Sequence, residues 1–181
     1  MQNIAVLCAL ESEYLPRLFQ ENVFFSGLGK INAAYKTYEI INTIKPDVII
    51  NFSMAGAINP AANGLLEVGK VLQRDMMTCP LAPRGITPFS EEPLHLLSGY
   101  PGVVCGTGDS FVTDEDQWLI QNEVDIVDME LYAIALVCER LKTPWRSFKF
   151  VTNYANDSAE PDWLENLTQG QKLFDEILQT I

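Results

Sequence analysis

The sequence predicts one α/β domain over residues 1–181, with a central mixed β-sheet flanked by helices. Three observations carry this. The strand-like segments are short continuous apolar runs rather than alternating ones, as in sheets covered on both faces. Segments with helical apolar spacing stand between them. No repeat, linker or low-complexity stretch divides the 181 residues, a length suited to a single domain.

IAVLCAL (4–10) is long enough for a buried strand. ESEYLPRLF (11–19) reads as a short helix or turn, perturbed by Pro16. NVFFSGLGK (22–30) is a strand ending in glycines. INAAYKTYEIINTI (31–44) has apolar residues at 31, 34, 38, 41 and 44, the spacing of one helix face, and Lys45-Pro46 stops it. DVIINFSMAG (47–56) is a buried strand running into a small-residue turn, and LEVGKVLQRDM (66–76) is another strand.

Residues 77–101, rich in Pro, Gly, Thr and Ser, form one long irregular stretch, a length at which loops tend to be functional or mobile. GVVCGTGDSFV (102–112) is a strand leading to a glycine-rich turn, and 114–122 has some helical character. VDIVDME (124–130) is a short strand, 129–141 a largely buried helix, and PWRSFKFVTN (144–153) a further strand. The final helix, 162–180, starts at Asp162 as N-cap and carries the stripe Leu164, Leu167, Phe174, Leu178, Ile181.

Composition excludes several function classes. Apolar residues at 48% and charged residues at 20% are the balance of a soluble globular chain. With 24 acidic against 12 basic side chains and a net charge of −12, neither nucleic acid nor an anionic membrane surface is an expected partner. No apolar run reaches the ~20 residues of a membrane span, and the N-terminus has no signal-peptide pattern, so a cytoplasmic location is expected. Cys8, Cys79, Cys105 and Cys138 lack CxxC spacing and read as reduced thiols. With His95 the only histidine, and that in a loop, no metal site or cofactor is expected.

In a sheet of this kind, ligands bind beyond the carboxyl ends of the strands. Those ends are 9–13, 53–56, 106–112, 128–130 and 152–156, and they offer carboxylates, an aromatic ring and an Asn/Thr cluster. This set suits cleavage of an N-glycosidic bond. Such a reaction needs a base to orient water, a carboxylate near the sugar hydroxyls, a flat apolar surface for the leaving base, and a group that stabilises it as it departs.

ALESE (9–13), GLGKINAA (27–34), KPDVIINFSMAGAI (45–58), GDSFV (108–112) and VDMELYAIALVC (127–138), in this order, resemble the methylthioadenosine/S-adenosylhomocysteine nucleosidase branch of the purine nucleoside phosphorylase superfamily. The resemblance implies a nucleoside phosphorylase-like fold. It also implies hydrolysis of a 5′-modified adenosine, a nucleoside substrate, no cofactor, and a homodimer in which a loop of the partner, here 77–101 with Phe89, closes the 5′ pocket. It assigns water activation to Glu13 and the ribose hydroxyls to Glu130, with Met129 beside the ribose. Phe111 would stack on the purine, and the backbone at Val112 would read its edge. Ala55 and Gly56 would lie close to the ribosyl site.

Four positions depart from the family pattern. Asn153, after Thr152, stands where the family has the Asp that protonates purine N7, and Asn156 replaces a later acid. Lys149 stands for an Arg beside the water, and Met54 for a Ser, with Ser53 adjacent. An amide keeps the hydrogen-bond pattern at N7 but gives up no proton. Three readings are open. In one, the chain is an adenosine-type nucleosidase whose acid is Asp157 or another group. In another, it hydrolyses a 6-oxopurine nucleoside, as in the futalosine hydrolase branch, which also has Ser-Asn here followed by a Trp (compare Trp163). In the last, it binds nucleosides with little turnover. Phosphorolysis is disfavoured because Arg17, Arg74 and Arg84 lie in no phosphate motif; APRG (82–85) reads as a loop near the site or a surface turn.

Overall fold

β1 (Ile4–Cys8) lies between β2 (Val23–Phe25) and β3 (Val48–Ala57), parallel to both. A computed structural model describes residues 2–14, 22–154 and 163–181. Part of the turn expected over 11–19, with Pro16 and Arg17, lies outside these residues, as do Asn156, Asp157 and the Asp162 cap. The other elements are α1 (Lys30–Ile44), β4 (Gly64–Gln73), β5 (His95–Leu97), β6 (Val103–Thr107), α2 (Gln117–Gln121), β7 (Ile126–Asp128), α3 (Leu131–Leu141), β8 (Trp145–Tyr154) and α4 (Trp163–Leu178).

The sheet is mixed, as expected, and it also closes on itself. β3 pairs with β8 in parallel along most of its length and with β7 antiparallel at its end. β7 pairs with β6, β6 with β4, and the first half of β4 with β8. The ring β3–β8–β4–β6–β7 therefore has each strand bonded to two neighbours. β2, β1 and β5 extend it as flaps.

Pleating sends successive residues of β1 to opposite cores, which is why its run is continuously apolar. Ala5 and Leu7 join the cluster beneath α1 and α3, with Ile49, Ile134 and Trp145. Val6 and Cys8 join the other, with Ile50, Phe52, Phe148 and the α4 residues Phe174 and Leu178. There Phe52 and Phe174 stack with ring centroids 4.4 Å apart, and Tyr14 packs edge-on against both.

Two expectations need correction. The core-facing side of α1 is Ala33, Thr37 and Ile40, with Ala34, Ile41 and Ile44 partly buried, while Ile31 and Tyr38 are exposed. Thr37 is tolerated inside because its hydroxyl donates to the Ala33 carbonyl at 2.7 Å. Its short side chain and that of Ala33 suit the packing against α3. The stretch 77–101 is also not wholly irregular. It contains β5, antiparallel to β4, where His95 is half-buried, and burial with the nearby Lys70 charge lowers its pKa.

Candidate active site

The site is assembled from the bottom of the fold upward, beginning with Glu13. Its carboxylate is buried and held by backbone donors from two strand ends. Oε2 accepts from the N–H groups of Ala9 (3.0 Å) and Leu10 (2.9 Å), and Oε1 from that of Met54 (3.2 Å). Because Met54 contributes its amide, its side chain being Met rather than Ser leaves this anchor intact. Burial raises the pKa of Glu13 against the pull of these N–H groups and of the Lys149 ammonium. A raised pKa makes a carboxylate a stronger proton acceptor than an ordinary one.

Lys149, on β8, is fully buried. Its Nζ donates to Asp128 Oδ2 at 2.7 Å and Ser53 Oγ at 2.5 Å. An ammonium has three donors, and these two oxygens take two of them. Burial alone would push Lys149 down and Asp128 up. Their mutual attraction reverses both, so the pair is ionised. Asp128 ends β7 and also accepts from Thr107 Oγ1 and from the Leu131 N–H at 2.9 Å, the first turn of α3. Sequence reasoning did not single out Asp128. The signal that could have found it is an acid two positions before Glu130, opposite an apolar strand with a lone Lys.

Glu130 is buried at the N-cap of α3, and its Oε1 accepts from the Gly29 N–H at 2.8 Å. Burial, then the Asp128 charge, pushes its pKa up to about 7; Lys149 and the Gly29 N–H oppose this, and Glu13 adds to it. The same ammonium thus acts on Glu13, Asp128 and Glu130. Half-buried Met129 precedes Glu130.

This geometry fixes a pH dependence. A carboxyl whose pKa rises from 4.5 to about 7 on folding contributes stability that is present below 4.5 and lost as pH rises through 7. Glu130→Gln mimics the protonated form. It is expected to melt roughly 7–13 °C above the parent at pH 8 and within about 3 °C of it at pH 5. Thermal melts at the two pH values check this, and a difference that does not grow with pH would remove the assignment.

The remaining predicted residues fall into two groups. Ala55 is buried and Gly56 follows it at the end of β3, where pairing with β8 slips by one residue, a bulge of the kind common beside active sites. The Asn153 backbone pairs with Gly56 there, while its side chain lies outside the described part. Phe111 and Val112 instead line a cleft of about 350 Å³ with Arg74, Asp75, Met77, Arg84 and Ser110. Phe111 is 86% exposed, and its ring lies open among the described residues. Val112 packs against the cluster of Leu72, Leu119, Val124 and Val127.

The arginines of this cleft are committed. Buried Arg74 donates to Ser110 Oγ, Ser110 O and the Gly108 carbonyl. Arg84 forms a bidentate pair with Asp116 at 2.7 and 2.9 Å and lies over the Trp118 ring, which places APRG (82–85) beside the site.

Comparison with known proteins shows the family of the chain. The profile of the Phosphorylase superfamily matches residues 20–181. The chain is 31% identical over 163 residues to a 5′-methylthioadenosine/S-adenosylhomocysteine nucleosidase of Staphylococcus aureus (strain JH9), covering 75% of this chain and 69% of that one. It belongs to the phosphorylase superfamily, on this nucleosidase branch. Two solved structures share the superfamily fold over the full length of both chains. They are a Helicobacter pylori MTAN variant with 5′-methylthioadenosine in its active site (TM-score 0.87, 18% identity) and a futalosine hydrolase mutant from the same organism (TM-score 0.85, 17% identity).

Proposed function

We propose that the chain is a purine nucleosidase that hydrolyses the N-glycosidic bond of a 5′-modified adenosine, of the methylthioadenosine or S-adenosylhomocysteine type. The observation that carries this is the placing of two buried carboxyls, Glu13 and Glu130, around one ammonium, each with a raised pKa. Glu13 takes the proton of the attacking water. Glu130 accepts hydrogen bonds from the ribose hydroxyls, its two oxygens matching two donors. Lys149, beside both, holds the water in its third donor direction and Met129 flanks the sugar. Ala55 and Gly56 approach the ribosyl group with backbone alone. Phe111 stacks on the purine, the Val112 backbone reads its edge, and Asn153 donates to N7.

Water is the acceptor rather than phosphate. Arg84 gives its donors to Asp116 and the Arg74 carbonyl, Arg74 gives both terminal nitrogens to Gly108 and Ser110, and Lys30 bonds Asp75 and Gln73. The test is incubation of the purified protein with methylthioadenosine, S-adenosylhomocysteine, adenosine, inosine and futalosine, with and without phosphate, following free base by chromatography. Adenine release independent of phosphate is expected. Release only with phosphate, or none, would overturn the reading.

Asn153 favours a second reading, hydrolysis of a 6-oxopurine nucleoside, because its amide serves both O6 and N7. Hypoxanthine release alone would select it. On the adenosine reading, Asn153→Asp restores a general acid and is expected to raise kcat on methylthioadenosine by about 10²-fold. An unchanged kcat would show that protonation of N7 does not limit this protein.

Leu28, Ile31, Tyr35 and Tyr38 leave an apolar stretch of α1 and its entry turn exposed, and Phe89 is 97% exposed in the 77–101 stretch. A homodimer burying these groups, with Phe89 directed to the partner's 5′ pocket, fits both. Light scattering is expected to give twice the 20.3 kDa chain mass, and Ile31→Asp with Tyr35→Asp to give the monomer. No described helix is long and apolar enough to cross a membrane.

A further inference from the structure

The two halves of the site, the ribose-facing carboxylates and the cleft holding Phe111, are tied by a charged cluster that the reaction as proposed does not use. Gly29 and Lys30 open α1, and their N–H groups are captured by acids distant in sequence. Gly29 donates to Glu130 Oε1, and Lys30 to Asp109 Oδ1, each at 2.8 Å. Gly29 must be glycine here, with φ +88° and a built Cβ only 3.1 Å from Asp109 Oδ1. Asp75, just beyond β4, completes the cluster. Its Oδ1 meets Lys30 Nζ at 2.6 Å and its Oδ2 accepts the Asp109 N–H at 2.9 Å. Lys30 Nζ also reaches Gln73 Oε1 at 3.3 Å and lies 3.8 Å from Asp109 Oδ2.

Asp109 is two residues before Phe111, and Gly29 is the donor that fixes Glu130. We infer that Asp75 is a positioning residue that clasps the base-holding loop, 108–112, to the turn that orients the ribose carboxylate. The inference rests on the nucleosidase reading for its kinetic consequence only. Burial would push the Asp75 carboxyl up, but the Lys30 ammonium and the Asp109 N–H outweigh it and hold it below the usual range, so the clasp is charged at neutral pH. The Lys30–Asp75 ion pair is partly buried, its side chains 18% and 23% exposed. Its effect is on where the loop and the turn sit.

Asp75→Asn keeps the size and one acceptor but loses the charge opposite Lys30. The expected result is faster hydrogen–deuterium exchange in peptides covering 27–31 and 106–112 together, with other segments unchanged. KM for the nucleoside rises about tenfold and kcat changes less than threefold, because base and sugar are held in both ground and transition states. Asp75→Glu, which keeps the charge, recovers KM to within about threefold of the parent. Unchanged exchange in those two peptides would overturn the clasp, as would faster exchange throughout the chain. If the parent releases no base from any nucleoside, the exchange measurement still decides the clasp, and that failure falls on the nucleosidase reading alone.

Discussion

Glu13→Gln is expected to lower kcat about 10²–10⁴-fold, the range for losing a general base. The anchoring of Glu13 makes the substitution informative. Its two oxygens accept three backbone N–H groups from two directions, Ala9 and Leu10 on one side and Met54 on the other. A glutamine presents an NH₂ to one of those sides, donor against donor, so the variant loses both the proton acceptor and part of its orientation. Base release in single-turnover mixing reports the chemical step, and calorimetry with free adenine reports whether the base site survives. A variant with parental kcat would remove Glu13 from the mechanism.

Lys149→Met is expected to cost about 3–5 kcal/mol of stability, because it leaves Asp128 buried without its cation. For a chain of this length the melting temperature falls by roughly 6–20 °C. The sign of the pH dependence identifies the cause. In the parent, the Asp128 pKa is held low by Lys149, so its stabilising contribution is present above the unfolded value and lost as pH falls. In the variant the burial penalty dominates and the pKa rises, so the deficit grows with rising pH. Urea melts at pH 5 and pH 8 distinguish the two. Lys149→Met combined with Asp128→Asn is expected to recover more than half of the loss, since the amide oxygen can still accept from the Leu131 N–H while its NH₂ donates to the Thr107 hydroxyl oxygen. A deficit that is equal at both pH values, with no recovery, would mean that lost packing rather than an unpaired charge is responsible.

Much of this was legible in the residues. The apolar runs of β1, β3 and β8 and the spacing within α3 gave the layers, because burial on both faces leaves a direct trace in composition. Glu13 and Glu130 are buried carboxyls acted on by the same Lys149 ammonium. What was not legible depends on groups far apart in the chain. The face that α1 buries is set by α3, not by its own apolar count, so Ile31 and Tyr38 are left outside while Thr37 goes in. Asp128 read only as the end of a short strand until Lys149, 21 residues on, was placed against it. The pairing of Lys30 with Asp75 across 45 residues has no local signal at all. β5 is three residues of edge strand inside a Pro-rich stretch, too short for a period to register.

The ring of strands has a consequence for how the protein is made. β3 is near the beginning of the chain and β8 near its end, with Ile49 opposite Trp145. During synthesis at ~5–20 residues per second, β3 and β4 spend several seconds with the edges that β8 will occupy unpaired. Asp128 waits over the same interval for its counter-charge, since Lys149 arrives on that same strand. A ribosome stalled before β8 therefore holds a chain with two open sheet edges and an acid bound for the interior. Such a nascent chain is a natural client for holding chaperones, until the last strand of the ring delivers hydrogen bonds and charge in one step.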